Sequence, residues 1–461
     1  MKLRLITAAT LAALSFAGTG FAQEQPWLSD RRVGEGMGYR VGNVELHWGA
    51  AAEGGYDSNY FLRSEDENPI AVWRLRLTPS FNVSTLSQQR RAAGAVGAPP
   101  ALNFRAGVWA AYNELIPSDA DPPEDDQVRD QRHLDIGANA RFDILPSKPV
   151  GGDIYADFLR TGEPSNVTLP NVAFDRDTVR GGVGVSWRPG GGLFDWRVGY
   201  EVAYNYFEDD PYQIYNNFEH GIVTRGRWRF LPRTAILFDG EYTFVRYTDD
   251  DTPQTNGDYV QARVGLNGLI TSKLAFLALL GWNSSYYEAN GIYEAQNYDG
   301  YVAHGELKWF LLPPPSPDTA PVGLSSIAAG YLRNFSNSYL GSFYVRDRGY
   351  LNFSYFAGGV FVATLEGGYS HLGFPESTYT NAMGNAAIAP AFGQDVIDGR
   401  LFGEYRFSEV FGVNTTLLYE QVISPQYPSD LPENPDPGDD DVTEDLEYSR
   451  WQIWLGLRYF I

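Results

Sequence analysis

The sequence predicts an all-β chain: a transmembrane antiparallel up-and-down β-barrel of about 18 strands over residues 44–461. Three observations predict it. Stretch after stretch alternates strictly between apolar and polar residues, the period of a strand with two unlike faces. The connections between those stretches alternate between short turns and long acidic loops. Aromatic residues make up 15% of the chain, with 30 Tyr and 27 Phe, yet no apolar run after the N-terminus approaches a membrane-spanning helix. Such a helix needs roughly 18 apolar residues, and the longest stretches, such as Leu274 to Trp282, fall short of that. A barrel instead spreads its membrane signal thinly over many strands.

The N-terminus reads as a secretory signal peptide over residues 1–22. Met1-Lys2-Leu3-Arg4 is basic, Leu5 to Phe16 is mostly apolar, and Gly20-Phe21-Ala22 supplies small residues for cleavage. Residues 23–43 are a short segment expected in the periplasm. They are too few to form the folded plug of transporters with about 22 strands. The chain has no Cys, which excludes a lipoprotein and a disulfide-stapled domain.

Eighteen strand candidates then follow, beginning near Val44, Ala71, Leu102, Arg132, Gly152, Ala173, Leu193, Tyr215, Thr234, Asp258, Leu274, Tyr298, Ser325, Phe343, Gly359, Asp395, Phe411 and Glu447. Leu134, Ile136, Ala138, Ala140 and Phe142 oppose Asp135, Gly137, Asn139, Arg141 and Asp143. Val260, Ala262, Val264 and Leu266 oppose Gln261, Arg263, Gly265 and Asn267. A soluble antiparallel sheet also alternates, so the connections matter. Leu145–Pro149, Pro189–Gly192, Leu231–Arg233, Ile270–Lys273, Ala357–Gly358 and Ser408–Val410 are short. Leu86–Ala101 and Leu311–Leu324 are longer members of the same set. Ser118–Asp130, Thr248–Gly257, Gly373–Gln394 and Ser424–Asp445 are long and acidic. This rim asymmetry is that of outer-membrane barrels, with the short turns periplasmic and the long loops extracellular.

Aromatic placement adds two expected girdles. Trp187, Trp196, Trp228, Trp309 and Phe411 sit beside short turns. Tyr112, Tyr206, Tyr247, Tyr259, Tyr286, Tyr287 and Tyr298 sit beside long loops, and Trp73 and Trp282 break the segregation. The last strand alternates Trp451, Ile453, Leu455, Leu457, Tyr459 and Ile461 with Gln452, Trp454, Gly456, Arg458 and Phe460. Its ending resembles the terminal assembly signal of bacterial outer-membrane barrels at Gly456, Tyr459 and Ile461, with Ile461 where that signal favours Phe.

Placing the polar face of each strand inward yields a charged lumen. Its expected pore-lining residues are Arg74, Arg76, Arg180, Arg225, Arg227, Arg229, Arg263, Glu306, Glu366, Arg400, Glu404, Arg406 and Arg458. Asp135, Asp143, Glu201, Asp239, Glu241 and Glu420 share those faces. Charges of opposite sign facing across water orient polar solutes; the same charges can instead tie neighbouring strands. The stack Arg225/Arg227/Arg229 stands nearest the periplasmic mouth.

Catalysis finds little support. The five His (His47, His133, His220, His304 and His371) form no recognisable motif, and His371 beside Ser370 is the one candidate for a rim hydrolase. No cofactor and no metal is expected, since the acidic runs at 121–126, 249–251 and 439–441 lack calcium-loop spacing. The expected partners are outer-membrane lipid and the barrel assembly machinery. The acidic mouths are expected to repel anionic polymers and discourage nucleic-acid contact.

The first hairpin reads Gly54-Gly55-Tyr56-Asp57-Ser58-Asn59, then Arg74-Leu75-Arg76-Leu77-Thr78-Pro79-Ser80-Phe81. A Tyr-Asp-x-Asn … Pro-x-Phe hairpin resembles that of an outer-membrane β-barrel porin family found beside exopolysaccharide and capsule loci. The resemblance implies an outer-membrane pore, serving polysaccharide export machinery in some members, without assigned catalytic residues. From the sequence the expected function is a pore for polar solutes, with a polysaccharide conduit as its specific form. The alternative is a non-conducting surface barrel that acts through its outer loops.

Overall fold

A computed structural model describes residues 38–86, 101–118, 124–162, 175–208, 210–249, 255–289, 296–311, 325–337, 343–357, 360–380, 386–424, 427–428, 443–444 and 446–461. The signal-peptide reading, most of residues 23–43, the acidic run at 439–441 and most of the two longer inner connections lie outside these residues.

Eighteen strands form the ring. They are β1 (Val44–Asp57), β2 (Val72–Thr85), β3 (Leu102–Pro117), β4 (His133–Ile144), β5 (Val150–Thr161), β6 (Arg176–Trp187), β7 (Phe194–Phe207), β8 (Asn217–Leu231), β9 (Thr234–Tyr247), β10 (Gly257–Leu269), β11 (Leu274–Tyr287), β12 (Asp299–Phe310), β13 (Ser326–Asn337), β14 (Phe343–Ala357), β15 (Phe361–Phe374), β16 (Phe392–Arg406), β17 (Phe411–Ile423) and β18 (Tyr448–Phe460). Each pairs antiparallel with its chain neighbours. The ring closes where β1 meets β18, in a register running from Gly49↔Phe460 to Asp57↔Gln452. The amide of Ile461 donates to the carbonyl of Trp48 at 2.9 Å, so pairing runs to the last residue. Closure leaves no unpaired edge, which is what a sheet in lipid requires.

The period-two pattern becomes two faces. On β11, Leu280 is 64% exposed on the outside, whereas its inward neighbours Leu279 and Gly281 are half-buried. On β18, Leu455 and Leu457 face out while Trp454 and Phe460 are buried inside. The expected rings beside the short turns (Trp187, Trp196, Trp228, Trp309 and Phe411) all stand exposed on the outer surface.

The rim of long loops departs from expectation. Tyr112 and Tyr286 face out, but Tyr287 and Tyr298 are buried in one cluster with Phe343, against which Tyr259, Phe335 and Val345 pack. Adjacent residues such as Tyr286 and Tyr287 cannot share a face, so one of each such pair is withdrawn from lipid. The register explains the cluster. The β12–β13 ladder stops at Ala303↔Arg333, whereas β13–β14 continues to Asn337↔Phe343. The free end of that hairpin leaves the wall and packs its outer side against Tyr259 and Tyr287, on the inner face of β10 and β11.

Part of what remains outside at that rim follows one device, repeated in four successive hairpins. A ring on the first strand donates to an Asp on the second: Tyr242 to Asp258 at 3.1 Å, Trp282 to Asp299, Tyr331 to Asp347, and Tyr369 to Asp395 at 2.7 Å. In each case the Asp pairs with the residue two positions beyond the ring: Phe244, Ser284, Arg333 and His371. An outward carboxylate at the edge of the lipid band needs such a donor, and this gives Trp282 its place at the outer rim. One short helix, Glu124–Asp130, also breaks the all-strand expectation. Its Asp125–Arg129 pair is spaced i,i+4 at 3.1 Å, and its Val128 is fully buried.

Candidate functional site

All thirteen side chains expected to line the pore lie on the inner parity of their strands. Eleven of them divide between two walls of different construction, with Arg263 on β10 and Glu306 on β12 lying between the walls.

The first wall runs from β14 through the seam to β2. Asp57, fully buried at the outer end of β1, accepts hydrogen bonds from Arg450 Nε at 2.9 Å, Gln452 Nε2 at 2.8 Å and Arg74 Nη1 at 3.4 Å. One carboxylate thereby ties β1 to β2 on one side and to β18 on the other. Tyr56, its neighbour on the outer face, sits 5.0 Å from both Trp73 and Trp451 and bridges the same three strands. Asn59 donates to the carbonyls of Arg63 (2.7 Å) and Ser449 (3.2 Å) and accepts from the amide of Arg63. The Tyr-Asp-x-Asn motif of the first hairpin is thus a clasp that closes the ring and turns the next loop inward.

That loop, residues 58–71, fills the outer lumen beside the seam. Tyr60 and Phe61 are buried with Ile70, Val72, Leu115 and the helical Val128. Leu62 reaches the inner face of the wall and joins Leu372, Phe374, Val396, Val422, Leu446 and Tyr448. Its φ of 62° lies in the left-handed region, which a bulky residue holds only when its surroundings fix it.

Below the loop, charges pair sideways rather than across the lumen. Arg76 Nε donates to Glu53 at 2.8 Å, Arg348 binds both Glu366 (3.0 Å) and Asp398 (2.5 Å), and Glu404 accepts from Arg406 (2.7 Å) and Arg458 (2.6 Å). Glu306 accepts from Tyr350 at 2.7 Å. Trp454 lies under the guanidinium groups of Arg74 and Arg76, 4.9 and 4.4 Å from its ring, so its faces are spent within the wall. Gly456 leaves room between Glu53 and Asn414, where a Cβ would collide with both. Tyr459 packs on Phe411 outside at 5.1 Å. Arg400 faces inward on β16, opposite Glu366 in register.

The second wall runs from β4 to β9. It has its own lateral pairs: Asp153 with Arg197 through two 2.8 Å bonds, Arg141 with Asp143 at 3.0 Å, and Asp239 with Arg263 at 2.8 Å. Here, however, inward groups remain open to solvent. Asp157, Arg229 and Glu241 are exposed, and Arg180, Arg225 and Arg227 half-exposed. Two aromatic rings lie flat on this wall because glycines face them. A Cβ at Gly137 would overlap Trp109, and one at Gly182 would overlap Tyr155. Both rings stay partly accessible to the lumen.

The hydrolase candidate is not assembled. His371 and Ser370 are adjacent on β15 and therefore point to opposite sides. His371 Nδ1 lies 2.8 Å from Asp395 on the outer surface, while Ser370 is buried inside and accepts from Arg346 at 2.9 and 3.0 Å. Among the described residues no group of three or more His, Cys, Asp or Glu is placed to hold a metal ion. Sequence reading missed Asp57, Arg450, Asp398, Asp153 and the buried loop tip. The apolar run Tyr60-Phe61-Leu62 inside an otherwise charged loop was the available signal.

No family model and no curated protein matches the sequence. Among solved structures, OccK1 (OpdK) of Pseudomonas aeruginosa is similar at 11% identity and a TM-score of 0.44, over 91% of this chain and 99% of that one. OccAB2 of Acinetobacter baumannii gives 10% and 0.44 over 91% and 98%. The alcaligin outer-membrane receptor FauA of Bordetella pertussis gives 10% and 0.44 over 92% and 77%. Likeness at that level is one of fold only. The closed ring, its apolar exterior and its ringed rims make this chain a barrel of the bacterial outer membrane.

Proposed function

We propose that the chain is a channel for polar solutes, and in its specific form a conduit for exported polysaccharide. The observation that supports the channel is the solvent exposure of inward charges along β5, β8 and β9, at Asp157, Arg229 and Glu241. A barrel of this strand number lies in the range that leaves an aqueous lumen. The polysaccharide form draws on the first-hairpin resemblance and on the flat faces of Trp109 and Tyr155, which suit the apolar faces of sugar rings.

Bilayer recording with neutral oligosaccharides of rising length tests this reading. Steady conductance with length-dependent block supports the conduit, and conductance without block reduces it to a general pore. The second reading, a surface barrel acting through its loops, has one observation in its favour: residues 58–71 and the described end of the β13–β14 hairpin turn into the outer mouth. A folded barrel that stays silent, and stays silent when Leu62→Asp loosens the loop, would establish that second reading.

A further inference from the structure

The inward charges of β7, β8 and β9 are sorted along the pore axis. On the half near the long loops stand Glu201 (3.8 Å from Arg197), Glu219 and Glu241, and on the adjoining β6 Arg180 lies opposite Asp157 in register. On the half near the short turns stand Arg225 and Arg229, together with Arg197, which Asp153 engages at 2.8 Å, and Arg227, 4.0 Å from Asp195. The registers fix this order. Glu201 lies opposite Gly221, Glu241 opposite Val223, and Arg197 opposite Arg225, so the carboxylates lie above and the guanidinium groups below. Asp239, level with Arg225, is engaged by Arg263 at 2.8 Å. Among the described residues Glu219 accepts from the neutral Asn205, at 3.1 Å, and Glu241 from Thr243, at 2.9 Å.

The opposite wall does not cancel this order. In its outer half the four guanidinium groups of Arg74, Arg346, Arg348 and Arg450 meet the four carboxylates of Asp57, Glu366, Asp398 and Glu420. In its inner half Glu404 holds Arg406 and Arg458. Residues 58–71 occupy the seam side of the outer mouth and the described end of the β13–β14 hairpin packs on β10 and β11, which leaves the β4–β9 wall beside the open path.

We propose that this wall makes the channel an ionic diode, negative toward the long-loop side and positive toward the short-turn side. The inference rests on the channel reading above and deepens it by assigning the residues that set charge selectivity and direction. When the long-loop side is held positive, cations enter through the carboxylates and anions enter through the arginines. Each ion meets the charge that attracts it first, and both accumulate in the lumen. With the polarity reversed both are depleted. An anionic polymer reaches the arginines from the short-turn side without first crossing the carboxylates.

The test is a single-channel current–voltage curve of the folded full barrel, at 0.1 M and at 1 M KCl. Orientation is set by Ser118→Cys on the long-loop side, the only thiol in a chain without Cys, read with an impermeant thiol reagent. The Debye length falls from about 10 Å to about 3 Å between those salts. At the lower salt the current should be roughly twofold larger with the long-loop side positive, and nearly symmetric at the higher salt. Glu201→Gln/Glu219→Gln/Glu241→Gln, and separately Arg225→Gln/Arg227→Gln/Arg229→Gln, should each flatten the low-salt asymmetry. A symmetric curve at low salt, asymmetry of the opposite sense, or asymmetry unmoved in both variants would overturn the diode while leaving the channel intact. Absence of any conductance would overturn the channel reading, and the diode with it.

Discussion

The seam wall from β14 to β2 and the far wall from β4 to β9 use the same residue types to opposite ends. At the seam, Arg, Asp, Glu and Trp are buried and turned on one another: Asp57 is shared by Arg74, Arg450 and Gln452, and Trp454 lies beneath two arginines. On the far wall Asp157, Glu241 and Arg229 face solvent, and Trp109 lies open on Gly137. Inward parity therefore does not by itself make a residue functional. What covers the residue decides whether a lumen charge is a rivet or a contact for solute.

Replacing matched residues in the two walls should separate them most sharply. Asp57→Ala leaves Arg74 and Arg450 buried without their anion, and removal of one partner from such a network costs about 3–5 kcal/mol. Asp157→Ala removes an exposed carboxylate and should change stability by less than about 0.5 kcal/mol. Urea unfolding of the barrel in lipid vesicles measures both. Equal losses would mean that the far wall is as closely packed as the seam.

The same logic shows how much could be read from the sequence. Strand number, strand starts and the asymmetry of the connections were legible because each rests on local pattern: the alternation of Leu134 to Asp143 or Val260 to Asn267 needs no partner to be recognised. The parity of each strand was legible too. It would have withdrawn Tyr287 from the outer girdle and separated His371 from Ser370. The lateral pairing of Arg348 with Asp398, or of Asp153 with Arg197, was not legible. It depends on register between strands, and in sequence two opposite charges look alike whether they meet across a wall or across a pore. The inward turn of residues 58–71 lay between these cases: its apolar tip is local, but its landing site on β15–β18 lies at the other end of the chain.

The next comparison runs through a single wall. Leu280 and Leu279 are adjacent on β11, one outside and one inside. An Arg at a lipid-facing position near mid-height costs about 2–4 kcal/mol, whereas inward positions tolerate charge. Leu280→Arg should therefore slow or abolish folding into vesicles, and Leu279→Arg should fold with a loss below about 1 kcal/mol. Reversed penalties would turn the barrel's faces inside out and remove the basis of every lumen assignment.

The smallest effect distinguishes the two indoles. Trp109 keeps a face open to the lumen because Gly137 lets it lie flat, while Trp454 is sandwiched against Arg74 and Arg76. If sugars pass along the far wall, Trp109→Ala should weaken oligosaccharide block by up to about tenfold, the equivalent of about 1.4 kcal/mol of lost stacking. Trp454→Ala should leave block unchanged and show its cost in unfolding instead, since its cation–π contacts lie within the wall. The concentration of oligosaccharide that halves the current reads the first effect, and the urea midpoint reads the second. Block that weakens equally in both variants would mean that the rings act through the shape of the whole lumen and not through contact with the sugar, and the assignment of the solute path to the far wall would fall.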